Sequence, residues 1–368
     1  MNHNTPVSPR PLSHLTDATT RVLTAAQLRA HGVAAADLTA ACRPGGPWQQ
    51  ILPGVFLLHP GPPTSEERLH AVLLYAGRPP GEKVTLPQQS ADSAAAASLP
   101  PNRRPAVDAA AAAAPEIPAA YGDAMITGLA ALTLHRFSSA PPLLALERID
   151  VLVPRTRRLR STGPAHLVRS HALPRPQLVT GVPVAPVPRA LADAVAQLAD
   201  ASAVRRLLTE AVRGGHCEPA AIVKELNQAR LLTRPHVVDA VDSLLAEGRA
   251  IAEDRLYRLV SEHGLPDPLW NVDLRLPGGP HIGGVDAYWP DQAVALELDT
   301  RAPRQDEDAL WSEYARKREH LERLGITVVH ITPKKLRDAM DQQAQVVRTA
   351  LMASSDRDPA AYVVVLPR

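Results

Sequence analysis

Asp286, Glu297 and Asp299 are the residues of this chain whose types and spacing could do chemistry. Glu297 and Asp299 stand two apart in Ala293-Val294-Ala295-Leu296-Glu297-Leu298-Asp299, an alternating stretch that reads as a strand. Successive strand side chains point to opposite faces, so the two acids share one face while Val294, Leu296 and Leu298 share the other. Val285-Asp286-Ala287-Tyr288-Trp289 reads as a short preceding strand, and Pro290-Asp291 has turn chemistry. Pairing in a hairpin would bring Asp286 beside Glu297 and Asp299. Three carboxylates on one edge suit a hard divalent cation, Mg²⁺ or Mn²⁺, which takes oxygen ligands.

The neighbouring elements must position these acids. Ile251 to His263 reads as a helix with Leu256, Leu259 and Val260 inward, Glu253 near its start and Gly264 at its end. Trp270 to Leu276 alternates as an edge strand before Pro277-Gly278-Gly279-Pro280. After the hairpin, a helix sets Leu310, Tyr314, Leu321 and Leu324 on one face, so Lys317 or Arg318 falls on that face near the sheet. A cation there could steady a phosphate, or its stem could snorkel with the charge in water. Thr327 to Ile331 is a further strand, Lys334 to Met352 a closing helix whose Lys334, Lys335 and Arg337 could face DNA, and Ala361 to Leu366 a last short strand.

The pattern D-x10-E-x-D on a hairpin resembles the nuclease core of the PD-(D/E)XK superfamily, most closely its very-short-patch-repair-like branch, over about the last third of the chain. That resemblance implies a restriction-endonuclease-like mixed sheet flanked by helices and Mg²⁺- or Mn²⁺-dependent DNA cleavage. Asp286, Glu297 and Asp299 would hold the metal, Glu253 would assist, and Lys317 or Arg318 would stabilise the pentavalent phosphate. Two departures stand out. Asp299 occupies the place where the superfamily usually has Lys, and Thr300-Arg301-Ala302-Pro303 replaces the Gly and nearby His often found in the branch.

The front of the chain reads as helix, Gly turn, helix and hairpin. Thr24 to Gly32 is a capped helix, Val33 to Cys42 a second helix, and Trp48 to Leu58 two small strands around Pro53-Gly54. That order belongs to a winged helix-turn-helix, which sets one helix in the major groove. The stretches "HGVAAADL" and "WQQILPGVFLL" resemble the N-terminal domain of AbiEi-like antitoxins of type IV toxin–antitoxin systems, and the likeness extends over Ala124 to His171. It implies DNA as one partner and a cognate toxin protein as another. The second helix offers mainly alanines with Asp37 and Thr39, whereas base edges are read by Arg, Lys, Asn or Gln. Phosphate contact by Arg21, Arg29 and Arg43 is therefore the expected mode, with a small packing domain as the alternative.

Between these ends, residues 78–120 collapse into Ala, Pro, Ser and Gln with little bulky apolar surface, the composition of a disordered insert within one domain; residues 1–20 read as a disordered start. Ile149 to Val153 is a buried strand and His166 to Arg169 starts a returning one. The hairpin tip between them carries Arg155, Arg157, Arg158 and Arg160, the densest positive cluster in the chain, either a phosphate grip or a solvated loop. Pro188 to Gly248 is helical throughout. The expected organisation is an α+β / α/β multi-domain chain: a winged helix over 21–76, an antitoxin-like α/β region over 121–187, a helical connector over 188–248 and an endonuclease-like domain over 249–368.

Composition narrows the class further. Lys+Arg 40 against Asp+Glu 38 gives a formal charge of +2 over 368 residues, so nucleic-acid binding must rest on local clusters. Cys42 and Cys217 lack CxxC spacing and suggest neither a disulfide framework nor zinc. The start of the chain lacks a signal peptide's apolar run, and no stretch approaches the ~20 apolar residues of a membrane span, so a cytoplasmic protein without a membrane partner is expected. Three functions remain open: a DNA-associated protein with an endonuclease-like domain, an active Mg²⁺-dependent nuclease, and a non-enzymatic antitoxin-like transcriptional regulator.

Overall fold

A computed structural model describes residues 21–78, 118–300, 307–355 and 363–367, the side chains of 307–314 and 355 excepted. The two stretches expected to be disordered, 1–20 and nearly all of 78–120, lie outside the described residues. The fold is mixed α+β with three sheets, and the chain divides into two compact units, Met1–Ala194 and Val195–Arg368.

The first unit begins with β1 (Val22–Thr24), α1 (Ala25–Ala30), α2 (Ala35–Ala41), β2 (Gln49–Leu52), β3 (Val55–Leu57) and α3 (Ser65–Gly77). Thr24 starts α1 with a capping box: the Gln27 N–H donates to Thr24 Oγ1 at 3.2 Å and the Thr24 N–H to Gln27 Oε1 at 2.8 Å. Leu28, Leu38 and Phe56 form a small core with Val33 and Trp48 packed against it. The three strands are antiparallel in the order β1-β3-β2. Strand β1 was not expected, because three residues are too few to show a period.

Helix α3 is capped by Thr64 and Glu67 in the same way and, Arg68 apart, is buried from Glu66 to Ala76, the pattern of a helix enclosed by structure on nearly every side. It packs on β1, β2 and β3 and on strands of the next sheet, and residues 21–76 and 121–187 fall within one compact unit. That sheet holds β4 (Met125–Ile126), β5 (Ile149–Pro154), β6 (Ala165–Ser170), β7 (Gln177–Val179) and β8 (Val182–Val184), in the order β6-β5-β4-β8-β7. Helix α4 (Gly128–Leu134) follows β4, and α5 (Val187–Gln197) ends the unit.

The second unit opens with α6 (Ala201–Arg213), α7 (Pro219–Gln228) and α8 (Pro235–Glu262). The expected break at residue 248 is absent: α8 is one helix of 28 residues. Gly248 sits inside it because a Cβ there would stand 2.4 Å from Cγ of Pro219 at the start of α7. Then come β9 (Leu269–Arg275), β10 (His281–Trp289), β11 (Val294–Leu298), α9 (Glu307–Arg323), β12 (Thr327–Ile331), α10 (Pro333–Asp338), α11 (Met340–Ser355) and β13 (Val364–Pro367). The sheet order is β12-β11-β10-β9-β13, with β11 and β12 parallel and the other neighbours antiparallel. Strand β13 pairs with β9, so β9 is internal rather than an edge.

Two apolar layers hold this sheet. Val294, Leu296 and Leu298 join Ala287 and Trp289 against Leu256, Leu259 and Val260 of α8 and Val347 and Leu351 of α11. On the other face Val285, Tyr288 and Ala295 meet Leu321 of α9. No helix among the described residues is long and apolar enough to cross a membrane.

Candidate functional site

Asp286 and Glu297 are both buried, at 8 % exposure each, where β10 and β11 stop pairing. The last register pair on this side is Ala287 with Leu296. Beyond it the Asp286 side chain takes over: Oδ2 accepts from the Leu298 N–H at 2.6 Å, satisfying a backbone donor that the ladder no longer pairs. The other oxygen, Oδ1, accepts from Arg249 at 2.8 Å, and the same guanidinium donates through Nε to Glu253, also at 2.8 Å. One arginine of α8 thus bridges two of the expected acids.

Glu297 is neutralised from the opposite layer. Its Oε1 forms an ion pair with Lys317 of α9, and Oε2 lies 3.4 Å from His330 Nδ1, its register partner on β12. Lys317 Nζ also donates to the Gly284 carbonyl at 2.5 Å. Two of the four expected acids, both buried, are therefore each paired with a half-exposed or partly buried cation, which offsets charges that would be costly alone. Asp299 follows the strand, its backbone N–H donating to the Ile331 carbonyl at 2.9 Å. Of the two cations expected to face the sheet, Lys317 does so. Arg318 points along the helix surface and pairs with Glu322 at 2.7 Å.

A hard cation needs carboxylate oxygens turned to a common point. Asp286 spends both oxygens on Arg249 and Leu298, and Glu297 faces an ammonium. Among the described residues no group of three or more His, Cys, Asp or Glu side chains is placed to hold a metal ion. In this arrangement a guanidinium and an ammonium lie on oxygens of Asp286 and Glu297 that Mg²⁺ or Mn²⁺ would otherwise take. The carboxylate-rich spacing and a sheet-facing Lys317 were legible; Arg249 was not. Arg249 lies four residues before Glu253, an i,i+4 signal for an ion pair, but a helix start drawn at residue 251 hid it.

The arginine cluster also sits differently. Strands β5 and β6 are parallel, Ile149 opposite Ala165 through Pro154 opposite Ser170, so the segment between them is a crossover and not a hairpin tip. Arg157 is drawn inward to donate to the Ala76 carbonyl at 2.6 Å and to that of Arg78, at the end of α3, and burial lowers its pKa. Tyr75 Oη donates to the Arg160 carbonyl at 2.7 Å and Arg169 to the Leu159 carbonyl, clamping the crossover from both sides. Arg155, Arg158 and Arg160 are exposed, with Arg155 against His171. Arg29 and Arg43 are exposed on the first unit, while Arg21 lies 3.6 Å from the buried Glu67.

Arg337 at the start of the closing helical segment is held by Glu218 at 2.5 Å and Asp338 at 2.8 Å. The Cys217 thiol is pushed up to about 12 by burial and stays protonated, as befits a packing residue.

No protein-family model matches the chain, and no curated protein matches it significantly.

Proposed function

We propose that this chain is a DNA-associated regulatory protein, with a winged-helix-like front end and an endonuclease-like C-terminal sheet that grips rather than cleaves. The observation that carries the reading is the pairing of Asp286 with Arg249 and of Glu297 with Lys317. In an endonuclease-like site those carboxylates would be the metal ligands; here their charge serves to seat two cations on rigid elements. Each pair is supported from a different layer, so neither cation can be withdrawn without stranding a buried acid.

The front end supports the same reading. The order α1, Gly32 turn, α2, β2, β3 fits a winged helix, and the exposed face of α2 presents Ala35, Ala36, Asp37, Thr39 and Ala40. Such a face lacks the side chains that read base edges, so the mode is phosphate contact through exposed arginines such as Arg29, Arg43, Arg155, Arg158 and Arg160. Binding should then be indifferent to sequence and steep in salt. A gel-retardation series on unrelated duplexes across a salt range tests it. Equal affinity for all sequences with a steep salt slope supports the reading, and absence of retardation at low salt overturns it.

A further inference from the structure

The hairpin β2–β3 of the first unit touches the arginine crossover between β5 and β6. A Cβ on Gly163, near the end of the crossover, would lie 3.4 Å from Leu52 Cδ2 and 3.7 Å from the Ile51 carbonyl oxygen, both on β2. Arg78, just after α3, donates to the Pro53 carbonyl in the β2–β3 turn at 3.2 Å, and its own carbonyl accepts from Arg157 of the crossover. We infer that this hairpin and the crossover form one surface that holds the phosphodiester backbone of duplex DNA, with helix α2 outside the contact. The inference rests on the DNA-associated reading and says which part of the first unit carries it.

Charge sets the surface apart. Between Asp37 and Glu66 the chain has no acid, and between Glu147 and Asp193 it has Asp150 alone, which is buried against His166. The crossover and the strand after it bring Arg155, Arg158, Arg160, Arg169 and His171 to the surface. Among the described residues none of these arginines, nor Arg78, is paired with an acid. Asp123 is the acid felt inside the crossover, at the half-buried Arg157. Forked guanidinium groups match phosphate oxygens, and a phosphate backbone is held through such unpaired cations.

Backbone contacts fix the crossover and leave its charges available. Tyr75 Oη donates to the Arg160 carbonyl at 2.7 Å, Arg169 to the carbonyls of Arg157 and Leu159, and Arg155 to His171 Nε2. A loop already held in place loses less freedom on binding than a mobile one. The hairpin contributes a neutral edge with Gln50 exposed, which does not repel phosphate. Helix α2, by contrast, offers alanines and the acidic Asp37 where a recognition helix would meet base edges.

Gel retardation of a short duplex by the full chain tests the inference with three variants, each altering exposed side chains and each checked by an unchanged melting curve. Arg158→Ala with Arg160→Ala should weaken binding at least about tenfold and lower the salt slope by about 2. Gln50→Glu, which puts an acid on the hairpin, should also weaken binding. Ala36→Glu, which puts an acid on α2, should leave it within about twofold of wild type. Wild-type binding that the double arginine variant retains overturns the inference and leaves the DNA-associated reading standing. So does a loss caused by Ala36→Glu, which would place α2 in the groove. An unaffected Gln50→Glu would separate the hairpin from the crossover and overturn the single surface. Wild type that retards no duplex at low salt sinks the DNA-associated reading, and the inference with it.

Discussion

A Cβ on Gly283 would stand 2.5 Å from Cε of Lys317, so the missing side chain on β10 is what lets the lysine of α9 lie against the strand and reach Glu297. Gly283 also holds φ at +150°, a backbone conformation that L side chains rarely adopt. Gly283→Ala should therefore destabilise the second unit by about 1–3 kcal/mol. Part of that loss should be recovered in the Lys317→Ala background, where the clash is gone. Additive losses in thermal melts would show that the glycine serves the backbone alone.

Glu297→Gln removes the anion that Lys317 faces. With Lys317 and Glu297 side chains only 19 % and 11 % exposed, the variant strands an ammonium against a neutral amide. A loss of about 1–3 kcal/mol follows, read as a melting point lower by several degrees. A variant as stable as wild type would contradict the pairing.

The crossover arginines should separate into two classes. Arg157→Ala removes the donors that hold the Ala76 and Arg78 carbonyls and should cost about 1–2 kcal/mol of stability. Replacing exposed Arg155, Arg158 and Arg160 by Ala should leave the melting point in place while weakening DNA binding and flattening its salt dependence. The opposite assignment in melts and gel shifts would refute this division.

His70 gives the first unit a pH dependence. Burial pushes its pKa from 6.5 to about 4, and Nδ1 contacts Tyr121 Oη at 2.6 Å. Between those values the unfolded chain binds a proton that the native ring refuses. Stability is therefore complete above about pH 6.5 and falls as the pH drops toward 4, by up to about 3 kcal/mol. His70→Gln should flatten that slope in denaturant melts taken from pH 7 to 4. An unchanged slope would assign the dependence to other groups.

Much of this was legible in sequence because it is local. Alternation placed Val294, Leu296 and Leu298 in one layer, and Thr24 with Gln27 marked a helix start. What was hidden is tertiary. Asp286 and Arg249 are 37 positions apart, and nothing in their spacing says that α8 delivers a guanidinium to β10. Period-two patterns are the same for parallel and antiparallel strands, so the β5–β6 connection read as a hairpin. Gly283 carries no sequence signal of its role, which is to let Lys317 lie against the strand. The acids were visible as a motif, but their partners decide what they can do.

With Asp286 and Glu297 held by Arg249 and Lys317, the proposed protein grips DNA without cutting it. Supercoiled plasmid incubated with the full chain in millimolar Mg²⁺ or Mn²⁺ tests this. Salt-sensitive retardation of plasmid that remains supercoiled after the protein is removed is the expected result. Nicked or linear product that disappears with Glu297→Gln would contradict it and make these carboxylates a working nuclease site.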